Sequence, residues 1–202
     1  MARKRFLPRR SGFLKPKNFI VVATEGRLTE ERYLAGFHPP RESVLQLLVL
    51  PSKTNKSRPR ECLKRLLEYA RNNGLGPKDQ LWVMIDRDRW APEELDEVAR
   101  ELSKRDGHHL ALSNPCVEYW FLLHFQDHMP LIDASHALRE LKRHFPQYTK
   151  DGFDLAPLIA GARAAIRRAE RQDRGSEEPW PTNTGSHVYR LVRQLIDPEE
   201  GS

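Results

Sequence analysis

The chain has little cysteine. Two residues of this type, Cys62 and Cys116, occur in 202. They are far apart and lack the spacing of a metal site, so neither a disulfide scaffold nor a cysteine zinc site is expected, and both read as buried thiols in a reducing compartment. Long apolar runs are missing too, and no stretch approaches the ~20 residues needed to span a bilayer. Residues 1–10 are basic but lack the apolar segment of a signal peptide, which sets the expectation of a cytoplasmic protein with a basic, flexible arm over 1–17 and no membrane partner. No internal repeat is visible. What the chain does have is charge: 31% of its residues are charged and the net charge is +6. With 39% hydrophobic residues and four Trp it can also bury a sizeable core.

Acidic residues sit at two informative places. Glu25 ends the run Phe19-Ile20-Val21-Val22-Ala23-Thr24, and Asp86 and Asp88 end Leu81-Trp82-Val83-Met84-Ile85. Short runs rich in Val, Ile and aromatics, each followed by a helical pattern, predict buried parallel strands. Ligand crevices in open α/β sheets lie outside the carboxyl ends of such strands. Residues i and i+2 of a strand point the same way, roughly 6–7 Å apart, so Asp86 and Asp88 are expected to face one cavity with Arg87 turned away. Carboxylates gathered at a rim repel unless a cation joins them, and Mg²⁺ or Mn²⁺ suits oxygen ligands. The plain alternative is that Asp88 opens a loop and Asp86 caps a backbone N–H. A basic surface around an acidic rim fits an enzyme acting on nucleic acid, although +6 is also an ordinary charge for a soluble domain.

The pattern predicts strands at 19–24, 44–50, 81–86 and 109–113. Helices are expected over 30–37, 60–73 and 92–105, then from Pro115 to about Gln126, and over 133–144, 155–171 and 184–196. The βαβ alternation makes a doubly wound α/β sheet the expected fold. The division expected is the arm at 1–17, an α/β core at 18–126, and a helical extension at 127–202 packed on it as one compact domain.

Several segments together resemble the RloB-like family of bacterial Toprim-domain proteins. They are Ala23-Thr24-Glu25-Gly26-Arg27-Leu28-Thr29-Glu30-Glu31-Arg32-Tyr33, the Ile85-Asp86-Arg87-Asp88 turn, Ser113-Asn114-Pro115-Cys116-Val117-Glu118-Tyr119-Trp120-Phe121-Leu122-Leu123-His124-Phe125, and Asn183-Thr184-Gly185-Ser186-His187-Val188-Tyr189. The resemblance spans roughly 18–195. It implies a Toprim-like fold and a metal-dependent nucleic-acid enzyme of bacterial defence against phage or foreign nucleic acid, often encoded beside an ATPase partner. It also implies that Glu25 is an acid/base or metal ligand and that Asp86 and Asp88 hold Mg²⁺. The chain shows no nucleophilic-Tyr domain and no zinc module, which takes support from topoisomerase and primase activities.

Other residues carry two readings each. Glu118, in the first turn of its helix, could bind a second ion, or could simply suit the helix dipole. Glu30 could join the carboxylates or make a capping contact. Thr29 reads as the cap of its helix. Arg27 and Lys53, on loops after the first two strands, could bind phosphate, as could Lys56 and Arg58, whose default is a solvated charge run. His124 reads either as a core or capping histidine, or as a residue that protonates a leaving group or contacts phosphate. Asn183, Thr184, Ser186 and His187 gather at the expected start of the last helix; there Thr184 would be the cap, free N–H groups would form an anion site, and His187 would be a phosphate contact or general acid. Trp120, Phe121 and Phe125 read as core packing rather than base-stacking platforms. Arg163, Arg167, Arg168 and Arg171 form either a basic stripe or a solvated face.

The leading function is a Mg²⁺- or Mn²⁺-dependent nuclease that hydrolyses phosphodiesters of DNA or RNA. Its rival is a non-catalytic subunit that binds nucleic acid or nucleotide for an ATPase partner; transfer of a nucleotidyl or phosphoryl group is a weaker third. A homo-oligomer is compatible with the residues, which leave the oligomeric state open.

Overall fold

The structure is a computed structural model and describes residues 18–39, 43–52 and 58–197. The basic arm, Lys53 and Lys56 lie outside the described residues.

Four apolar runs form the parallel part of one sheet: β1 (Asn18–Thr24), β2 (Leu45–Leu50), β3 (Gln80–Asp86) and β4 (His108–Asn114). A two-residue strand, β5 (Gly185–Ser186), pairs antiparallel with the end of β4. The order is β2-β1-β3-β4-β5. The helices are α1 (Thr29–Ala35), α2 (Pro59–Asn73), α3 (Pro92–Leu102), α4 (Val117–Leu122), α5 (Ala134–His144), α6 (Ala156–Asp173) and α7 (Val188–Ile196). This is the mostly parallel, Rossmann-like α/β fold that the sequence predicts, with its C-terminal helices.

Strand side chains alternate between two cores, as the pleat requires. Val21, Ala23, Leu81, Val83 and Ile85 face α2 and α3, which contribute Cys62, Leu66, Leu95 and Val98. Ile20, Val22, Trp82 and Met84 face the other layer, where α1, α4, α6 and α7 bring Tyr33, Trp120, Phe121, Ala165 and Leu191. Both faces of the central strands are therefore dry, which is why these strands read as continuous apolar runs. Truncating one of the enclosed rings, Phe121 for instance, costs on the order of 3–5 kcal/mol. The C-terminal helices share the second of these cores with α1, so the extension is packed against the sheet.

The topology determines where a crevice opens. The chain leaves β1 over one face to reach β2, then returns over the opposite face to β3, on β1's other side. The connections at the carboxyl ends of β1 and β3 thus diverge, and the neighbouring strand ends leave a crevice between them. Glu25 and Asp86 stand there.

Two local expectations fail. Thr29 is the first residue of α1 and not its cap, since its hydroxyl donates to the Lys150 carbonyl at 3.0 Å. The last helix starts at Val188, not at 184, because Gly185 and Ser186 are drawn into the sheet against Asn114 and Ser113.

Candidate active site

Glu25 follows β1, and its backbone N–H donates to the Met84 carbonyl (3.0 Å), extending the pairing of β1 with β3 past the strand. Its side chain is buried and turns toward β3. There Oε2 accepts the Asp86 N–H and the Trp90 indole N–H, both at 3.1 Å. Burial pushes the Glu25 carboxyl up to about 7, against those two hydrogen bonds and with help from Glu30 and Asp88. Gly26 follows because of Glu30. The Glu30 carboxylate accepts the Gly26 N–H at 3.0 Å, and a Cβ on Gly26 would fall within 2.6 Å of its Cδ. A side chain at position 26 would therefore push the Glu30 carboxylate off the Gly26 N–H.

Asp86 ends β3. Desolvation raises its carboxyl well above the ordinary range, and Glu30, Glu25, Glu118 and Asp88 add repulsion. Glu30 is raised by burial and by Glu118 in the same way. Asp88 does not share strand geometry with Asp86, as the i, i+2 spacing predicted. The chain turns at Arg87, whose N–H goes to the Ser113 carbonyl (2.9 Å), while the Asp88 N–H goes to that of Pro115 (3.0 Å). Asp88 keeps Arg89 at 3.5 Å, and its carboxyl is raised by desolvation with a contribution from Glu118.

Glu118 enters from α4 and is almost wholly enclosed, 1% exposed. Its Oε1 accepts the Tyr148 hydroxyl (3.1 Å) and pairs with the Lys150 ammonium (3.2 Å). Its Oε2 is buried without a partner. The crevice thus collects five carboxylates, Glu25, Glu30, Asp86, Asp88 and Glu118, which act on one another electrostatically. The donors are all oxygen and one atom is orphaned, which fits a hard divalent cation chemically. Among the described residues, however, no three His, Cys, Asp or Glu side chains form a group that could hold an ion as they stand. The physical reason is visible: Glu25 is turned to Asp86 and Trp90, Glu30 to Gly26, and Glu118 to Tyr148 and Lys150.

The remaining candidates scatter. Arg27 is exposed on the loop after β1. His124 is a core residue: Nδ1 donates to the Trp120 carbonyl (2.9 Å) and Nε2 accepts the Tyr33 hydroxyl (3.2 Å). Burial lowers it to about 4, and with both nitrogens used it is removed from the substrate contacts. The anion site expected at the last helix is not there. The Thr184 hydroxyl is spent on Leu131, Ser186 bonds Ser113 (2.9 Å) and takes the Val188 N–H, and His187 is 1% exposed with Nε2 donating to Asp173 at 3.0 Å. The Asp173 carboxylate takes the His187 Nε2 that a phosphate contact would need. Asn183 is exposed beside a cavity of about 170 Å³ that Asp173, Thr184, Ser186 and His187 also line. On α6, Arg168 and Arg171 share Asp127 and Arg163 pairs with Asp197, so the basic stripe is partly neutralised.

Sequence reasoning missed Lys150, Tyr148, Trp90 and Asp173. Nothing local marks Lys150, a lysine in a polar loop. Trp90 had a weak signal in its place just past Asp88.

An α/β protein with a carboxylate cluster at the switch point of its sheet is the class that this geometry defines. The chain matches the family model described as RloB-like protein over residues 20–195, and it belongs to the RloB-like family. No curated protein and no solved structure matches it.

Proposed function

We propose that this chain is a divalent-ion-dependent phosphodiesterase that hydrolyses DNA or RNA in bacterial defence, acting as a Toprim-type nuclease. The observation that carries this reading is the gathering of five buried or half-buried carboxylates where β1 and β3 end, several with raised pKa values. Like charges kept this close are destabilising without a cation, and folds retain them where chemistry needs them. Mg²⁺ or Mn²⁺, held by Asp86, Asp88, Glu118 and Glu25, would polarise a phosphoryl oxygen and acidify water. Glu25 supplies the base: both of its hydrogen bonds fall on Oε2, which leaves Oε1 to take a proton from water. A carboxyl that titrates near neutrality suits that task. Trp90 and the Asp86 N–H fix its orientation. Glu30 and the enclosed Glu118 keep the crevice negative. The net charge of +6 and the exposed Arg27 support attraction of a phosphate backbone. The reading sets the protein in the cytoplasm, with an ATPase partner and self-association as further proposals. No described helix is long and apolar enough to cross a membrane.

A second reading has its own support. The acidic side chains are not grouped for an ion as they stand, and Lys150 already occupies one of them. That favours a non-catalytic subunit that binds nucleic acid or nucleotide. Incubating purified protein with DNA, RNA and tRNA, in Mg²⁺, Mn²⁺ or chelator, separates the two. Ion-dependent cleavage lost in Asp86→Ala supports the enzyme. Binding without turnover, unaffected by that substitution even with an ATPase partner added, supports the subunit.

A further inference from the structure

The turn after α5 places a cation inside the acidic crevice. Lys150 lies between two short-range bonds of one small loop, the reciprocal Thr149–Gly152 backbone pair at 3.2 Å, and its own carbonyl is held by the Thr29 hydroxyl at 3.0 Å. Tyr148, fully buried, anchors the loop from the other side and donates to Glu118. The backbone is therefore fixed against α1 and the aromatic core. The side chain is not fixed: 60% of it is exposed, and among the described residues its one ion pair is the 3.2 Å contact with Glu118 Oε1. Four unbranched methylenes allow the ammonium to swing without moving the loop.

The pair is lopsided. Glu118 is enclosed; Tyr148 and Lys150 both fall on Oε1, the Cys116 thiol lies against the same side chain, and Oε2 accepts no N–H or O–H among the described residues. A buried carboxylate oxygen left this way normally finds a donor or an ion. The charge balance agrees. Lys150 lies in the field of Asp86 as well as Glu118, and Arg89 pairs with Asp88 at the edge of the cluster.

We propose that Lys150 is a displaceable counter-cation. It neutralises Glu118 while the crevice holds no ion, and it leaves when a divalent ion takes the Glu118 carboxylate, so that its ammonium is presented to a phosphate of the nucleic acid. This deepens the phosphodiesterase reading and rests on its divalent site. The displacement follows from charge alone: an ammonium and a dication sharing one carboxylate repel, and only the ammonium has a flexible stem and open solvent to move into. The loaded crevice would then carry its positive charge on the outer side, where a phosphate arrives, and the ionic partner lost by Lys150 would be replaced by the substrate.

The test uses the full chain and two readouts other than turnover. Lysine acetylation with a water-soluble activated ester, followed by mass spectrometry, measures how exposed the Lys150 ammonium is. Mn²⁺ should raise its modification rate at least threefold, while the rates at other lysines stay constant. Calorimetric titration should show Mn²⁺ binding at least threefold tighter to Lys150→Met than to wild type, because a competing cation has gone. In Ca²⁺, a labelled oligonucleotide should bind at least fivefold more weakly to Lys150→Met, with Lys150→Arg close to wild type. Asp86→Asn and Glu118→Gln serve as site controls. If Mn²⁺ binds in an Asp86-dependent way but neither Lys150 reactivity nor the Lys150→Met affinity changes, the displacement idea is wrong and the metal reading stands. If Mn²⁺ binding ignores Asp86 and Glu118, or is absent, the metal reading and the inference fall together.

Discussion

Replacing Glu25 by Gln should stabilise the ion-free protein at alkaline pH, the reverse of what removing a buried, doubly hydrogen-bonded side chain usually does. Gln keeps a carbonyl oxygen for the Asp86 N–H and the Trp90 indole, both at 3.1 Å in the native chain. It removes a charge that burial disfavours. The native carboxyl titrates at about 7 against 4.5 for the unperturbed group. The gap of about 2.5 units corresponds to about 3 kcal/mol. The sign follows from linkage. A group whose folded pKa is raised contributes stability fully below its unfolded value, and that contribution is lost as pH rises through the folded value. Between pH 4.5 and 7 the native state binds more protons, so stability falls across that window and stays low above it. Because repulsion by Glu25 also raises Asp86, part of the gain will come through Asp86. For a chain of this size, 3 kcal/mol amounts to roughly 6–12 °C in melting temperature. The assay is circular-dichroism melting of wild type and Glu25→Gln in EDTA from pH 5 to 8.5. The two curves should meet near pH 5, and the variant should melt higher above pH 7. A variant that melts below wild type at pH 8, or a constant difference at every pH, would refute the electrostatic account and leave Glu25 as an ordinary structural acceptor.

Asp86→Ala and Asp88→Ala should each abolish divalent-dependent cleavage while nucleic-acid affinity stays within about twofold, measured by gel cleavage and fluorescence anisotropy; cleavage surviving both would sink the nuclease assignment. Asp173→Ala should cost about 2–4 kcal/mol in denaturant melts, since it strips partners from His187, Tyr189 and Arg190 and leaves a buried ring unpaired; a loss under about 0.5 kcal/mol would make the network decorative. Neither cysteine should react with a disulfide-exchange reagent at pH 8 in the folded chain, because burial pushes Cys62 up to about 12 and Cys116 further still. Both should label after unfolding in guanidinium, and fast labelling of the native protein would show that one of them is open to solvent.

The central parallel strands were legible because each is dry on both faces. Phe19 to Ala23 and Leu81 to Ile85 are apolar without alternation, and only a covered strand tolerates that. Helix ends were legible where a backbone rule acts locally, as at Pro92 at the first position of α3 and at Gly74, which closes α2 with φ +60°. β5 was not legible. Two residues carry no period, and Gly185-Ser186 is a strand only because Ser113 and Asn114 are beside it. The same pairing moves the start of α7 and turns Thr184, Ser186 and His187 inward, which is why an anion site inferred from residue types did not form. The i, i+2 geometry expected of Asp86 and Asp88 does not hold for a similar reason: strand spacing lasts only while the strand continues, β3 ends at Asp86, and the Asp88 N–H turns to the Pro115 carbonyl, although Asp88 stays within the acidic cluster.

The acidic site divides unevenly along the chain. Glu25, Glu30, Asp86 and Asp88 come from the first half, at ends of elements that sequence periodicity locates. Glu118, Tyr148 and Lys150 come from the segment that runs from the end of β4 into the turn beyond α5. That segment does two things at once. It closes one face of the sheet with Trp120, Phe121 and Tyr148, and it delivers a carboxylate and an ammonium to the switch-point crevice. The second role depends on the first, because Tyr148, which bonds Glu118, is held among Phe121, Phe145 and Phe153. Substitutions in this aromatic layer should therefore alter ion binding without touching any of the carboxylates. The short β1–α1 and β3–α3 connections, by contrast, place their acids by local backbone geometry. The site is best understood as a rim built by the sheet and a cation-bearing cover built by the core, and Glu118 is the side chain where the two meet.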